Sequence, residues 1–340
     1  MAEFSLKSLK GHDLIKERLK SLYLQGVASG SYLFSGMEST GKKMTALWYA
    51  QLVSCKSDDK PCGACVSCRK IEKGLHPDVK LIEKEADKTV ITIDRVRQDV
   101  ISDAGYKPFE GSFRVFVIND AHLLNDQSQN ALLKVLEEPG PQVIIILVTS
   151  RLAELFPTVL SRCREIKFSP LPPEKVSEIL TGMPDVPGDL RQTLAAFSAG
   201  SPGRAIRLAR SKDFLKIRSS LIEILLKLPD GKLQDVLDFA DSFRIARQEV
   251  ESLELTFEII LSFFRDILVI QSGLSNAPLI NADYYTSIQD VSFCFGPEDV
   301  TEIIDLLLEI RKQTFENNLN LKFGLQRFLI KVRQLGSVSI

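Results

Sequence analysis

Six consecutive aliphatic residues, Val143-Ile-Ile-Ile-Leu-Val148, have few possible homes in a folded chain. No polar residue alternates with them, so neither face of a strand built from them can meet water. The segment has to be covered on both sides, as in the centre of a parallel sheet. It is also far shorter than the roughly 20 residues needed to cross a membrane. Arg114 to Ile118 has the same character, and Ser31 to Ser35 is a shorter run that ends on Gly36. Val79 to Ile82 and Ile166 to Phe168 complete the set of strand candidates. Segments with helical spacing lie between them. Leu14, Ile15, Leu19, Leu22 and Tyr23 recur over 12–25, and Lys42–Val53, Ile93–Ile101 and Ser128–Leu136 follow, the last stopped by Glu138-Pro139-Gly140. Strands alternating with helices predict an α/β fold with a parallel, doubly wound sheet over residues 1–170.

The stiff Ser169-Pro-Leu-Pro-Pro173 stretch marks a domain boundary. Helices at about 174–181, 188–198 and 202–210 predict a small helical lid over 171–211, with Gly200-Ser-Pro-Gly203 between the last two. From Lys212 onward only helical periodicity remains, as in Leu221, Ile222, Leu225, Leu226 and Leu228, which predicts an all-α domain over 212–340. The chain carries 43 Lys and Arg against 44 Asp and Glu. That balance argues against strong stand-alone nucleic-acid binding, although a local basic face remains compatible with it. Met1-Ala-Glu-Phe-Ser-Leu-Lys7 has no apolar signal core, so a cytoplasmic location is expected.

Gly36-Met-Glu-Ser-Thr40-Gly41-Lys42-Lys43 follows a predicted strand and opens a predicted helix. It fits the G-x-x-x-x-G-K phosphate loop, in which backbone N–H groups curl around phosphate oxygens at a helix N-terminus and the lysine reaches the terminal phosphates. The next residue should be Ser or Thr, whose hydroxyl holds Mg²⁺; here it is Lys43, and a cation cannot ligate a cation. An active site of this kind also wants an apolar strand ending in Asp-Glu, and this chain offers Val115-Phe-Val-Ile-Asn119-Asp120. The simpler reading is a strand-to-helix turn with two glycines. The loss of hydroxyl, metal carboxylate and glutamate together points instead to a nucleotide fold that has given up hydrolysis, with ATP or ADP binding left open.

Cys55-x6-Cys62-x2-Cys65-x2-Cys68 places four thiols within fourteen residues, the ligand set of a closed structural zinc site. Gly63 eases the turn, and Lys56, Lys60, Arg69 and Lys70 favour thiolates. The 55–76 insertion has almost no apolar residues of its own, so a metal would supply what a core cannot. Free thiols, a disulfide or an iron–sulfur cluster are the alternatives, and His76 is a competing ligand.

These motifs together resemble the bacterial DNA polymerase III clamp-loader family. The resemblance is carried by Gly36 to Lys43, the cysteine cluster, Asn119-Asp-Ala-His122-Leu-Leu, Asn130-Ala-Leu-Leu-Lys-Val-Leu-Glu-Glu-Pro139 and Leu160-Ser-Arg-Cys163, over about residues 10–210. It implies an AAA+ fold with an inserted zinc module and a C-terminal helical collar. It also implies work alongside the gamma/tau ATPase subunits, the delta subunit, the beta sliding clamp and primer-template DNA in the replisome, with no membrane. Ser161 and Arg162 match a trans-acting arginine finger. Thr149 or Ser150 matches the first sensor position. Gly203 stands where ATPase members carry the second sensor arginine, and Arg204 is one residue off. The implied role is that of a non-hydrolysing stator. One alternative is an ATPase subunit using Asp120 and a substitute Mg²⁺ ligand such as Thr40. Another is a zinc-dependent adaptor outside replication, which would have no use for Ser161-Arg162-Cys163.

Overall fold

A computed structural model describes residues 6–183, 186–229, 250–274, 279–316 and 321–336. It forms two compact units. One holds the described residues of 1–183 together with 198–204; the other holds those of 184–197 and 205–340.

The first unit is built on five parallel strands: β1 (Gly30–Gly36), β2 (Val79–Ile82), β3 (Arg114–Ile118), β4 (Val143–Thr149) and β5 (Arg164–Phe168). Their order across the sheet is β2-β3-β4-β1-β5, so β4 and β1 are central, in register from Gly30 opposite Ile144 to Ser35 opposite Thr149. All seven residues of β4 are buried, as its unbroken aliphatic run requires. Successive side chains go to opposite faces. Tyr32, Phe34, Val115, Val117, Ile144, Ile146 and Val148 pack on one side with α1 (Asp13–Leu24), α2 (Lys42–Ser54) and α3 (Val66–Glu72). Leu33, Phe116, Ile118, Ile145 and Leu147 pack on the other with α6 (Asp126–Glu137) and a helix that runs as α4 (Ile93–Val96), a π-helical stretch (Arg97–Ile101) and α5 (Ser102–Ala104). Each fully buried Leu, Ile or Phe here stabilises the fold by roughly 1.5–3 kcal/mol.

Asn125 caps α6, its side-chain oxygen accepting the Ser128 N–H at 2.9 Å. The short α7 (Pro157–Leu160) lies between β4 and β5, and α8 (Pro173–Thr181) follows the proline-rich joint. Two details differ from the sequence reading. Leu14 is 82% exposed, so the inward face of α1 begins at Ile15 and Leu19. The cysteine insertion contains a helix, α3, whose Ile71 reaches the sheet core.

The second unit is helical. It contains α9 (Gly188–Phe197), the later part of α10 (Pro202–Arg210), α11 (Lys212–Lys227), α12 (Val250–Gln271), α13 (Tyr285–Ser292), α14 (Pro297–Glu316) and α15 (Leu321–Gly336). Phe264 packs edge-on against Phe263, Phe295 and Phe328. The buried Asp266 carboxylate accepts the N–H groups of Ile280 and Asn281. Buried Arg218 pairs with Asp283. Cys294 is half-buried, between exposed Phe293 and buried Phe295. The helical expectation for 230–249, 275–278, 317–320 and 337–340 lies outside the described residues.

Candidate functional site

All the site residues expected from the sequence lie in the first unit. The phosphate loop leaves β1 at Gly36, whose φ is 139°. A Cβ there would sit 2.2 Å from the Phe168 carbonyl oxygen, so β5 leaves room only for glycine. Gly41, with φ 99°, caps α2 from the left-handed region, where glycine is unstrained. Lys42 is 5% exposed, and its Nζ donates to the Gly36 and Met37 carbonyls at 2.7 and 2.5 Å. Burial lowers its pKa, against the raising influence of Asp120 and Glu38. Thr40 is fully buried and its hydroxyl donates to Met37 O at 2.9 Å.

Lys43 does not contribute a hydroxyl or point idly outward. Its Nζ lies 3.0 Å from Glu83 Oε1, just past the end of β2. The same Glu83 oxygen accepts from Asn119 Nδ2 at 2.9 Å, and Asn119 Nδ2 also donates to Asp120 Oδ2 at 2.9 Å. An ammonium group, a neutral amide and two carboxylates are thus joined in one network beside the loop. Thr149, at the end of β4, stands with Oγ1 3.3 Å from His122 Nδ1 and accepts the Arg151 N–H at 3.0 Å.

The loop is also held from outside. Gly203 N–H donates to Ser39 O at 3.0 Å, and Ser201 Oγ donates to Glu38 O at 3.0 Å. A Cβ on Gly203 would meet Ser39 Cβ at 2.8 Å, so the glycine lets the first turn of α10 rest on the loop. His12 reaches Thr40 O with Nε2 at 2.7 Å and packs edge-on against Phe168.

Burial lowers the pKa of His12, and it does the same at His76, whose Nδ1 accepts the Asp78 N–H at 3.1 Å. Both residues resist protonation when folded, while the unfolded chain takes up protons near the ordinary 6.5. The unfolded state therefore binds more protons below that value, and stability falls as pH drops through a window at about 6.5 and below. Asp78, whose pKa is also lowered, is present as stabilising carboxylate throughout that window and loses its contribution only at more acid pH. Thermal melts across the window should show the decline. It should flatten in a His12→Gln, His76→Gln variant, and an unchanged slope would contradict the assignment.

The four cysteines converge. Cys55 ends α2, Cys62 and Cys65 flank the turn at Gly63 (φ 71°), and Cys68 lies in α3. Their Sγ atoms all lie within 4.8 Å of one another, with Cys55 and Cys65 at 3.9 Å. Zn–S bonds of about 2.3 Å set tetrahedral thiolates about 3.8 Å apart. Backbone N–H groups of Cys62 and Cys65 donate to the sulfurs of Cys55 and Cys62. At Cys65 burial opposes ionisation, but N–H groups of Cys68 and Lys56 and the adjacent thiols bring its pKa down to about 6. Neighbouring N–H groups lower the pKa of Cys62 as well, while burial raises that of Cys68. The donor set, spacing and thiolate character fit a metal ion such as zinc. His76 is not part of the cluster.

Ser161 and Arg162 follow α7. Arg162 keeps 30% of its side chain exposed; Nε donates to Glu137 Oε2 at 2.9 Å, Nη2 lies 2.9 Å from the same oxygen as an ion pair, and Nη1 donates to Thr158 O at 3.1 Å. Ser161 Oγ donates to the same carbonyl at 3.2 Å. Cys163 packs against the core, and burial pushes its thiol up to about 12. The sequence reading gave Glu83 and His12 no role and named Glu137 only within the Asn130–Pro139 motif; each acts on a residue at least 25 positions away.

A parallel sheet ordered β2-β3-β4-β1-β5, with a glycine loop between β1 and α2, defines the AAA+ class of P-loop folds. Residues 11–172 match the family described as DNA polymerase III, delta subunit, and residues 212–334 match DNA polymerase III, delta subunit, C terminal. The chain belongs to the DNA polymerase III clamp-loader subunit family. It is 29% identical over 309 residues to the delta' subunit of DNA polymerase III from Bacillus subtilis (strain 168), covering 91% of this chain and 92% of that one. It is 27% identical over 320 residues to the tau subunit from the same organism, covering 87% of this chain and 56% of the relative's length. A solved gamma-subunit-related protein of DNA polymerase III from Thermotoga maritima aligns over 94% of this chain and 99% of that one, at 18% identity and a TM-score of 0.41. Among the described residues, no helix is long and apolar enough to cross a membrane.

Proposed function

We propose that this chain is a delta-prime-type stator of the clamp loader: it does not hydrolyse ATP itself, and it lends Arg162 to a neighbouring gamma/tau-type ATPase subunit. One observation carries the reading. Lys43, Glu83, Asn119 and Asp120 satisfy one another where a working site needs Mg²⁺ ligands. Thr40 is a poor substitute, because its hydroxyl is fully buried. Lys42 must break its two carbonyl contacts before it can meet a phosphate.

A guanidinium at the γ-phosphate of a neighbouring site would stabilise charge in the transition state. The chain would then sit beside gamma/tau and delta subunits and meet the beta clamp and primer-template DNA through the assembled complex. The near-neutral balance of 43 basic and 44 acidic residues accords with that indirect contact. The cysteine centre would hold structural Zn²⁺ at the end of α2. The residues over 171–211 and 212–340 would serve as lid and collar. The test is the ATPase rate of a reconstituted loader carrying Arg162→Ala.

A further inference from the structure

Arg162 lies just beyond a helix of four residues, too short to hold a long side chain steady by itself. α6 anchors the segment at both ends. At the entry, the buried Gln129 amide accepts the Phe156 N–H at 2.8 Å and donates to Glu154 O and Leu124 O at 3.0 and 3.2 Å. At the exit, Glu137, the last residue of α6, accepts Nε of Arg162 on a carboxylate oxygen that also lies 2.9 Å from Nη2 as an ion pair, while Thr158 O accepts Nη1. A guanidinium has five N–H donors in a rigid fork, so the two hydrogen bonds and the ion pair fix its plane and leave N–H groups of Nη1 and Nη2 without a hydrogen-bond partner.

We propose that Glu137 is the positioning residue of the finger. It holds the Arg162 guanidinium at a set angle, so that the unused N–H groups of Nη1 and Nη2 can meet a nucleoside-triphosphate γ-phosphate on an adjoining subunit without reorienting. Donors fixed before the reaction avoid reorganisation during it. The inference rests on the trans-acting reading of Arg162. It differs from a storage role, in which Glu137 would compete with phosphate and its removal would speed turnover. Both side chains are partly exposed, 30% for Arg162 and 59% for Glu137, so truncation should leave the fold intact.

The experiment is DNA-stimulated ATP turnover by the reconstituted loader carrying Glu137→Ala, Glu137→Asp, Arg162→Ala or Arg162→Ala with Glu137→Ala. Glu137→Ala should lower kcat about three- to tenfold, the scale of one charge-assisted hydrogen bond, with KM for ATP within about twofold. Glu137→Asp should recover part of the loss. Glu137→Ala should cost nothing further in the Arg162→Ala background, and the melting temperature of the isolated chain should stay within about 2 °C. If Arg162→Ala slows turnover but Glu137→Ala leaves it unchanged or faster, or if the two losses multiply, the positioning role is overturned and the finger stands. If Arg162→Ala has no effect, the finger reading falls and the positioning role falls with it.

Discussion

Replacing Arg162 with alanine is expected to cut the DNA-stimulated ATPase and clamp-loading rates of a reconstituted loader by at least about tenfold, within the roughly 10³-fold or more that a trans-acting arginine gives a single site. Assembly should be unaffected. The side chain is 30% exposed, and its visible partners are one surface carboxylate and one carbonyl, contacts worth about 1 kcal/mol or less. Arg162→Lys should recover little, because an ammonium is a point charge and cannot reproduce the planar fork. Size-exclusion chromatography of the mixed subunits alongside a turnover assay separates the two effects. Equal turnover with wild type and Arg162→Ala would contradict the finger. Lost assembly would show that Arg162 holds an interface instead.

Removing the metal proposed for the cysteine centre should have the largest effect on stability. The cysteine module is tied to the rest of its unit by Gln51 Nε2 to Cys68 O at 2.9 Å, Lys60 Nζ to the Tyr23 hydroxyl at 2.9 Å, and Leu6 N–H to Glu72 at 3.0 Å. It places Ile71 in the sheet core. Zinc binding to small thiolate sites is worth about 10–16 kcal/mol at neutral pH, and only part of that has to reach the domain to matter. Cys68→Ser, or treatment with a strong chelator, should lower the melting temperature by about 10 °C, since a domain of this size loses about 2–4 °C per kcal/mol. Amide exchange should rise across 55–72 first. Metal analysis should return about one zinc per chain. A metal-free chain that melts like the native one would remove the structural role.

Much of the first unit was legible because burial on two faces leaves a direct mark on sequence. The aliphatic runs of β3 and β4, the glycine loop after β1 and the cysteine spacing each encode a local requirement that one stretch of chain must meet alone. The sequence reading starts α6 at Ser128, whereas Asn125 caps a helix that begins at Asp126. Partnerships across the fold leave no such mark. That Lys43 had lost the hydroxyl of a metal site was visible, but that Glu83 holds its ammonium depends on β2 ending beside α2. His12 gave no signal, because it becomes a clamp only when α1 starts opposite Thr40. The brevity of α7, and its attachment to α6 through Gln129 and Glu137, come from packing and not from periodicity. In α1, helical spacing made Leu14 look internal, and the 82% exposure it has reflects how narrow the buried stripe is.

The most direct test of a chain that has given up hydrolysis is ATP turnover by the isolated, metal-replete protein, with and without Mg²⁺. With Lys43 paired to Glu83 and Asn119 neutral, no turnover above the uncatalysed background is expected at any Mg²⁺ concentration. Mg²⁺-dependent hydrolysis that disappears with Lys42→Ala would contradict it.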